Sequence, residues 1–119
     1  MVIFQFISKI VSLLYCGVIL FLSHQPNLSP PISGGQVDKI YHFMEYGLFS
    51  ALFFVGWHFF RVKSGLFYLF LMLFAASDEF HQSFIPNRSA SVWDFVVDVF
   101  AGILCYNGMK LLMGVRDRK

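Results

Sequence analysis

The stretch SDEFHQSFIPNRSASVWDF, from Ser77 to Phe95, places three carboxylates, a histidine, a glutamine and an arginine between two apolar segments. Pro86 and Asn87 stop a helix that enters this stretch from the N-terminal side. The apolar segments on either side, about residues 64–84 and 92–113, each have the length of about 20 residues that a membrane-spanning helix needs. The pattern therefore predicts two spanning helices joined by a polar loop.

The composition favours lipid as the surroundings of the whole chain. The 119 residues suffice for one domain, and 57% of them are hydrophobic, with 16 Phe and only 13% charged residues. A soluble chain of this length could not cover so much apolar surface. Cys16 and Cys105 both fall in apolar runs, which favours free thiols over a disulfide. We expect no nucleic acid partner.

Two further apolar segments complete the architecture. The loop SHQPNLSPPISGGQ, with three prolines and two glycines, separates a first helix from a second. The first helix lacks a small-x-small cleavage pattern after it, so we interpret it as a retained span rather than a secretory signal. We predict an all-α, four-helix transmembrane bundle in one domain, residues 1–119, with helices at about 3–22, 40–60, 64–84 and 92–113.

The distribution of charge predicts the orientation. With four spans, both termini share a side with the loop between the second and third helices. Seven of the nine basic residues fall on that side: Lys9, Arg61, Lys63, Lys110, Arg116, Arg118 and Lys119. We therefore expect both termini to be cytoplasmic. Six of the seven carboxylates lie on the outward side, and only Asp117 lies inside.

The outward acids recur at similar depth and on one face of each helix. Ten polar residues form the predicted site: Asp38, Lys39, His42, Glu45, Asp78, Glu79, Gln82, Arg88, Asp94 and Asp98. Ionisable groups at this depth cost about 2–3 kcal/mol each unless they face the bundle interior and find partners. We therefore predict one shared pocket, open to the outside, formed by the last three helices, with Arg88 pairing a carboxylate bidentately.

Purely structural roles are the alternative for some of these residues. Asp38 and Asp94 each precede an apolar run and suit a helix N-cap or a first-turn acid. Glu45 and Asp98 could instead lock the bundle through a carboxyl–carboxyl or Glu–Arg contact. His24 is interpreted, like His58, as a surface residue without chemistry.

The segments DKIYHFMEYGLFSAL (Asp38–Leu52) and SDEFHQSFIPNRSASVWDFVVDVFAG (Ser77–Gly102) resemble the VanZ-like family of small bacterial membrane proteins. The resemblance covers the chain from Asp38 onwards, with an echo in FLSHQP (Phe21–Pro26). The matching positions are Asp38, Lys39, His42, Ser77, Asp78, Glu79, Gln82, Pro86, Arg88, Asp94, Asp98 and Gly102. Asp98 stands where many members carry Asn, and Tyr106 stands where a second glycine is common.

The resemblance implies a multi-pass protein of the bacterial plasma membrane. The family is named for a protein linked to low-level resistance to teicoplanin, a lipidated glycopeptide antibiotic that acts at the cell surface. An outward polar pocket flanked by lipid-facing Phe suits an amphipathic envelope molecule, either a lipid-linked precursor or a lipoglycopeptide. An anionic headgroup would meet an acidic site, so that a bridging divalent cation or locally dominant basic groups would be needed.

Two other classes of function compete with this binding role. An intramembrane enzyme acting on a lipid-linked substrate could use the acids as metal ligands or as acid and base. The candidates for that chemistry are His42, Glu45, Asp78, Glu79, His81 and Asp98. No known metal motif and no activated nucleophile occurs, so we expect no cofactor and assign no catalytic residue. Ion-coupled transport is the third class, and the chain shows no internal repeat to support it.

Overall fold

The computed structural model describes residues 2–26, 35–57 and 62–116, which form four α-helices. Helix α1 spans Val2–Ser23, α2 spans Gly35–Trp57, α3 spans Ser64–Gln82 and α4 spans Val92–Leu112. The described residues contain no strand, so the all-α prediction is confirmed. The predicted placements of His58, Arg61, Asp117, Arg118 and Lys119, and most of the proline-rich loop, lie outside the described residues.

The helix bounds differ from the expected ones mainly in α2. This helix begins at Gly35 rather than near residue 40, and Asp38 lies in its first turn. A carboxylate there is stabilised by the unpaired N–H groups and the positive end of the helix dipole, so the helix extends beyond its apolar part. Helix α3 ends at Gln82 rather than near residue 84, with Ser83 as its C-cap.

Two helices, over Ile3–Ser23 and Val92–Leu112, are long and apolar enough to cross a membrane, judged by length and composition. Helices α2 and α3 have comparable lengths, 23 and 19 residues. They differ from the first two because α2 contains Asp38, Lys39 and Glu45, and α3 contains Asp78 and Glu79.

Four helix termini meet at one end of the bundle, which we call the polar end. It contains the C-terminal ends of α1 and α3 and the N-terminal ends of α2 and α4, joined by contacts such as Ser23 with Asp78 and Lys39 with Asp94. Helix α2 packs against α1 and most extensively against α4. At the opposite end, the Lys110 ammonium donates to the Ser64 hydroxyl over 2.9 Å.

Aromatic side chains fill the space between α2, α3 and α4. The rings of Phe67 and Tyr106 stack with centroids 4.2 Å apart, and Phe53 lies 4.8 Å from Phe67. Such rings each bury a large apolar area. The apolar core therefore occupies the middle of the bundle and its non-polar end, which leaves the polar end to hydrogen-bonding side chains.

Helices α2 and α4 approach closely because α4 carries small residues at the contact. Ala101 and Gly102 are both buried. A Cβ atom on Gly102 would lie 2.5 Å from Leu71 Cδ2 and 2.9 Å from Ser50 Oγ. Gly102 stands one turn below Asp98, so this close approach also brings Asp98 near the polar face of α2.

The exterior of the bundle is apolar on every helix. Large hydrophobic side chains are exposed on α1, α2, α3 and α4, for example Phe6, Met44, Leu73 and Leu111. Polar side chains are buried instead, including Ser23, His42, Asp78, Glu79, Gln82, Asp94 and Asp98. An apolar surface around a partly polar interior, together with two helices fit to cross a bilayer, indicates a membrane protein.

Candidate functional site

The first group of polar residues is the Asp78 cluster, which comprises Ser23, Tyr46, Asp78 and Gln82. The Ser23 hydroxyl donates to Asp78 Oδ1, and the Tyr46 hydroxyl donates to Asp78 Oδ2 over 3.2 Å. Gln82 Nε2 lies 3.3 Å from the same Oδ2 and 3.2 Å from Ser23 Oγ. Both oxygens of Asp78 are thus hydrogen-bonded, and one carboxylate connects α1, α2 and α3.

A buried histidine and aspartate join α2 to α4. His42 Nδ1 lies 2.9 Å from Asp98 Oδ1, and the two side chains are 8% and 0% exposed. The other oxygen of Asp98, Oδ2, has no hydrogen-bond partner in the described part of the chain. The spacing of His42 and Asp98 on their helices had predicted that both would face the bundle interior.

Glu79 links α3 to the start of α4. Its Oε2 accepts a hydrogen bond from the backbone N–H of Ser91 over 2.8 Å, and Ser91 is the N-cap residue of α4. The Ser91 side chain makes no capping hydrogen bond of its own. Glu79 Oε1 is buried and, among the residues that the structure describes, has no partner.

Glu79 completes a group that we call the His42 triad, comprising His42, Glu79 and Asp98. One potential ligand atom from each residue lies within 4.8 Å of the others, and all three residues are buried. A second group of the same kind comprises Asp38, His42 and Asp94. Helices α2, α3 and α4 therefore converge on His42. Glu79 and Asp98 lie near it in one group, and Asp38 and Asp94 lie near it in the other.

The Asp94 carboxylate is paired at the rim of the polar end. Lys39 Nζ lies 3.3 Å from Asp94 Oδ1, and the Lys39 side chain is 39% exposed. Asp38 and Asp94 occupy the first turns of α2 and α4, as predicted. The N-cap role suggested for Asp94 is wrong, because Ser91 holds that position.

Arg88 does not pair with a carboxylate among the described residues, so the predicted bidentate pairing is wrong. Its Nη2 donates to the Leu22 carbonyl over 2.8 Å, and its Nε donates to the Gln25 carbonyl over 3.2 Å. Carbonyls at the C-terminal end of α1 lack partners within the helix and carry the negative end of its dipole, so they compete for a guanidinium. Arg88 therefore fastens the α3–α4 loop to the end of α1.

Glu45 lies within electrostatic range of His42, Asp78 and Asp98. It lies about one turn further along α2 than His42, where it is half-buried. It belongs to neither His42-centred group, and it makes no hydrogen bond or ion pair with another described residue. The locking contact suggested for Glu45 is not found among the described residues.

The first helix supplies groups that the sequence analysis missed. Ser23 joins the Asp78 cluster, and His24 Nδ1 lies 3.1 Å from His81 Nε2, with the two rings stacked at 5.3 Å. His24 is exposed, as interpreted from the sequence, and its contact with His81 was not predicted. The short FLSHQP echo was the available signal for both residues, because it matched the family outside the main motifs. Tyr46 stood in an apolar run and gave no such signal.

The arrangement suits binding of cations or hydrogen-bond donors rather than nucleophilic catalysis. In the described part of the chain, its unpaired polar atoms include carboxylate oxygens of Glu79 and Asp98. The Ser23 hydroxyl donates to the Asp78 carboxylate, and among the described residues it makes no hydrogen bond with a histidine that could act as base.

The family model described as VanZ/LLP1 matches residues 1–113, which include all four helices, the Asp78 cluster and the His42 triad. No curated protein and no solved structure matches the chain.

Proposed function

Since the chain belongs to the VanZ/LLP1 family, we propose that all four helices cross the bacterial plasma membrane, with both termini in the cytoplasm. The exposed apolar side chains of α2 and α3 support this proposal, because both helices present hydrocarbon outward, while Asp78 and Glu79 of α3 are buried and the acids of α2 are half-buried. The basic residues support the orientation. Lys63, Lys110 and Arg116 lie at the end opposite the polar end, which is the pattern expected of a cytoplasmic face.

Cysteine labelling on intact cells tests this topology. In a background where Cys16 and Cys105 are replaced by Ala, Gln36→Cys and Arg116→Cys place single thiols at exposed positions near opposite ends. A membrane-impermeant maleimide should label the first variant in intact cells and the second only after permeabilisation. Labelling of Arg116→Cys from outside would reverse the orientation, and labelling of both would remove the four-span topology.

We propose further that the polar end is an outward-facing site for an amphipathic cell-envelope molecule. The observation that carries this proposal is a layer of buried carboxylates directly beside exposed aromatic side chains. Phe80, Phe84 and Trp93 are 68%, 69% and 69% exposed at the same end. A ligand with a polar head and an acyl chain would place its head against the acids and its chain along these rings.

The charge of the site favours a head that carries hydrogen-bond donors or positive charge. Arg88 is engaged with backbone carbonyls, and Lys39 lies in an ion pair with Asp94. The half-buried Glu45 is the acid best placed to meet a ligand, since its own contacts among the described residues do not occupy it. Teicoplanin is the first ligand to test, because the family is named for a protein linked to resistance to this lipoglycopeptide. A polyprenyl diphosphate represents the lipid-linked precursors.

Ligand-dependent stabilisation of the purified chain tests the proposed site. Teicoplanin should raise the Tm of the protein in detergent. Glu45→Gln should raise the Kd for teicoplanin, obtained from the dependence of Tm on its concentration, at least tenfold, because a charge-assisted hydrogen bond contributes about 1.5–3 kcal/mol. Tyr68→Phe is the matched control. It removes the 2.8 Å hydrogen bond to Asn107, far from the polar end, and should leave ligand binding unchanged.

Two outcomes would contradict the proposed site. One is that neither teicoplanin nor a polyprenyl diphosphate stabilises the wild-type chain. The other is equal stabilisation of the wild type and Glu45→Gln. A preference for the diphosphate would keep the site and replace the lipoglycopeptide by a lipid-linked precursor.

The second candidate function is a metal-dependent enzyme acting on a lipid-linked substrate. The specific observation in its favour is the His42 triad, which offers one imidazole and two carboxylates inside the membrane. A ligand set of that kind can polarise an ester or phosphate group of a substrate. Hydrolysis of a polyprenyl diphosphate by the metal-loaded chain, and its loss in Glu79→Gln, would favour this candidate over the binding role.

A further inference from the structure

We propose that the His42 triad binds one divalent cation of the Zn²⁺ or Mn²⁺ kind. The inference goes beyond the proposed envelope ligand and is independent of it, since it rests on the buried geometry of three side chains. They come from α2, α3 and α4, and their ligand atoms lie within 4.8 Å of one another.

Unpaired oxygens point to a ligand inside this group. Glu79 Oε1 and Asp98 Oδ2 are both buried without a hydrogen-bond partner in the described residues, and the two residues are 7% and 0% exposed. A buried carboxylate oxygen without a partner is costly, more so where the surroundings are hydrocarbon. Glu79 binds the Ser91 N–H through its other oxygen, so its orphan atom is available to a cation. The other oxygen of Asp98 lies against His42 Nδ1 within the triad, so a cation bound through Nδ1 would take the place of this hydrogen bond.

The local charge also favours a dication. Glu79 and Asp98 bring two carboxylates together around one histidine, and Asp78 with its own carboxylate lies next to Glu79 along α3. Close like charges in a medium of low dielectric repel strongly. A bound dication would offset the charge of two carboxylates and would hold α2, α3 and α4 together at the polar end.

The kinds of ligand atoms select the metal. Ca²⁺ and Mg²⁺ take oxygen ligands, whereas imidazole favours first-row transition metals such as Zn²⁺. Three protein ligands leave at least one coordination position open, as in catalytic rather than structural zinc sites. Ligand atoms of tetrahedral zinc lie about 3.4 Å apart, so the triad would contract modestly, and the flexible Glu79 side chain can supply that movement.

Metal titration of the full chain tests this inference. The protein is purified in detergent with a chelator, freed of it, and reloaded with Zn²⁺ or Mn²⁺ alone. We expect about one ion per chain by elemental analysis and a rise in Tm of several degrees, with little effect from Mg²⁺. Glu79→Gln and His42→Gln should each weaken binding by tenfold or more. Both amides retain a hydrogen-bonding group toward Ser91 or Asp98, so these variants should still fold.

Two control variants distinguish the triad from other groups. Tyr68→Phe changes a side chain far from the polar end, and it should bind the ion as the wild type does. His81→Asn disrupts the exposed His24–His81 pair, the alternative place for zinc at this end of the bundle. The proposal fails if the wild type binds neither Zn²⁺ nor Mn²⁺, if the triad variants bind them unchanged, or if His81→Asn alone abolishes binding.

Discussion

Replacement of Asp78 by Ala is expected to lower the free energy of unfolding by about 3 kcal/mol, because three donors lose their common acceptor. Ser23, Tyr46 and Gln82 all donate to this carboxylate, which is 1% exposed. Each hydrogen bond within a membrane contributes about 0.6–1.7 kcal/mol, and bonds to a charged acceptor lie toward the upper value. Equilibrium unfolding of the purified chain in mixed micelles, by titration with a denaturing detergent, measures the change.

Two variants show whether the acceptor itself matters. Asp78→Asn retains one acceptor oxygen and should lose roughly half as much stability. Glu45→Gln changes an acid of similar depth that makes no comparable set of hydrogen bonds, and it should stay within about 0.5 kcal/mol of the wild type. An Asp78→Ala protein as stable as Glu45→Gln would show that the Asp78 cluster contributes nothing to the fold.

The four helices were predictable because the signal for them is long and local. Each apolar run has about the length of 20 residues that a membrane-spanning helix needs. Pro86 and Asn87 mark the break between α3 and α4. Asn87 has a positive φ of 64°, a conformation that Asn tolerates better than most residues. Helical spacing also placed His42 and Asp98 correctly on interior faces.

The partners in the site were less predictable, because they depend on loops and on single side chains of α1. Periodicity gives the face of a helical residue, but it does not say where a loop arginine will reach. Arg88 found backbone carbonyls at the end of α1 rather than an acid. Tyr46 contributes a hydroxyl from sequence that reads as apolar helix, so only its contact with Asp78 identifies it, whereas the FLSHQP match was a signal for Ser23.

The buried acids divide into two kinds by what their oxygens contact. Both oxygens of Asp78 accept hydrogen bonds from the protein, so this carboxylate is saturated and suits a structural role. Glu79 and Asp98 each have one oxygen engaged and one without a partner among the described residues. A bundle that needed only stability would be expected to saturate all three, since unpaired buried acids destabilise the folded state. The unsaturated pair is therefore where function is expected.

A double-mutant cycle on His42 and Asp98 separates stability from function at the contact between these two residues. Asp98→Ala alone leaves a buried imidazole without its acceptor, and His42→Leu alone leaves a buried carboxylate without its donor. Each single change should cost about 3 kcal/mol or more. The double variant removes both polar groups and keeps a similar combined volume. It should recover to within about 1 kcal/mol of the wild type, because a buried pair that is replaced whole by apolar residues usually costs little.

The double variant should at the same time bind neither Zn²⁺ nor Mn²⁺, since it retains only Glu79 of the triad. Stability that recovers while metal binding is lost would mean that the bundle does not require this pair in order to fold, which leaves ligand binding as the reason to bury it. Strictly additive losses would contradict the 2.9 Å contact between His42 and Asp98, because independent side chains show no coupling energy. Unfolding in mixed micelles gives the coupling energy, and elemental analysis of the same preparations gives the bound metal, so the two results come from one set of proteins.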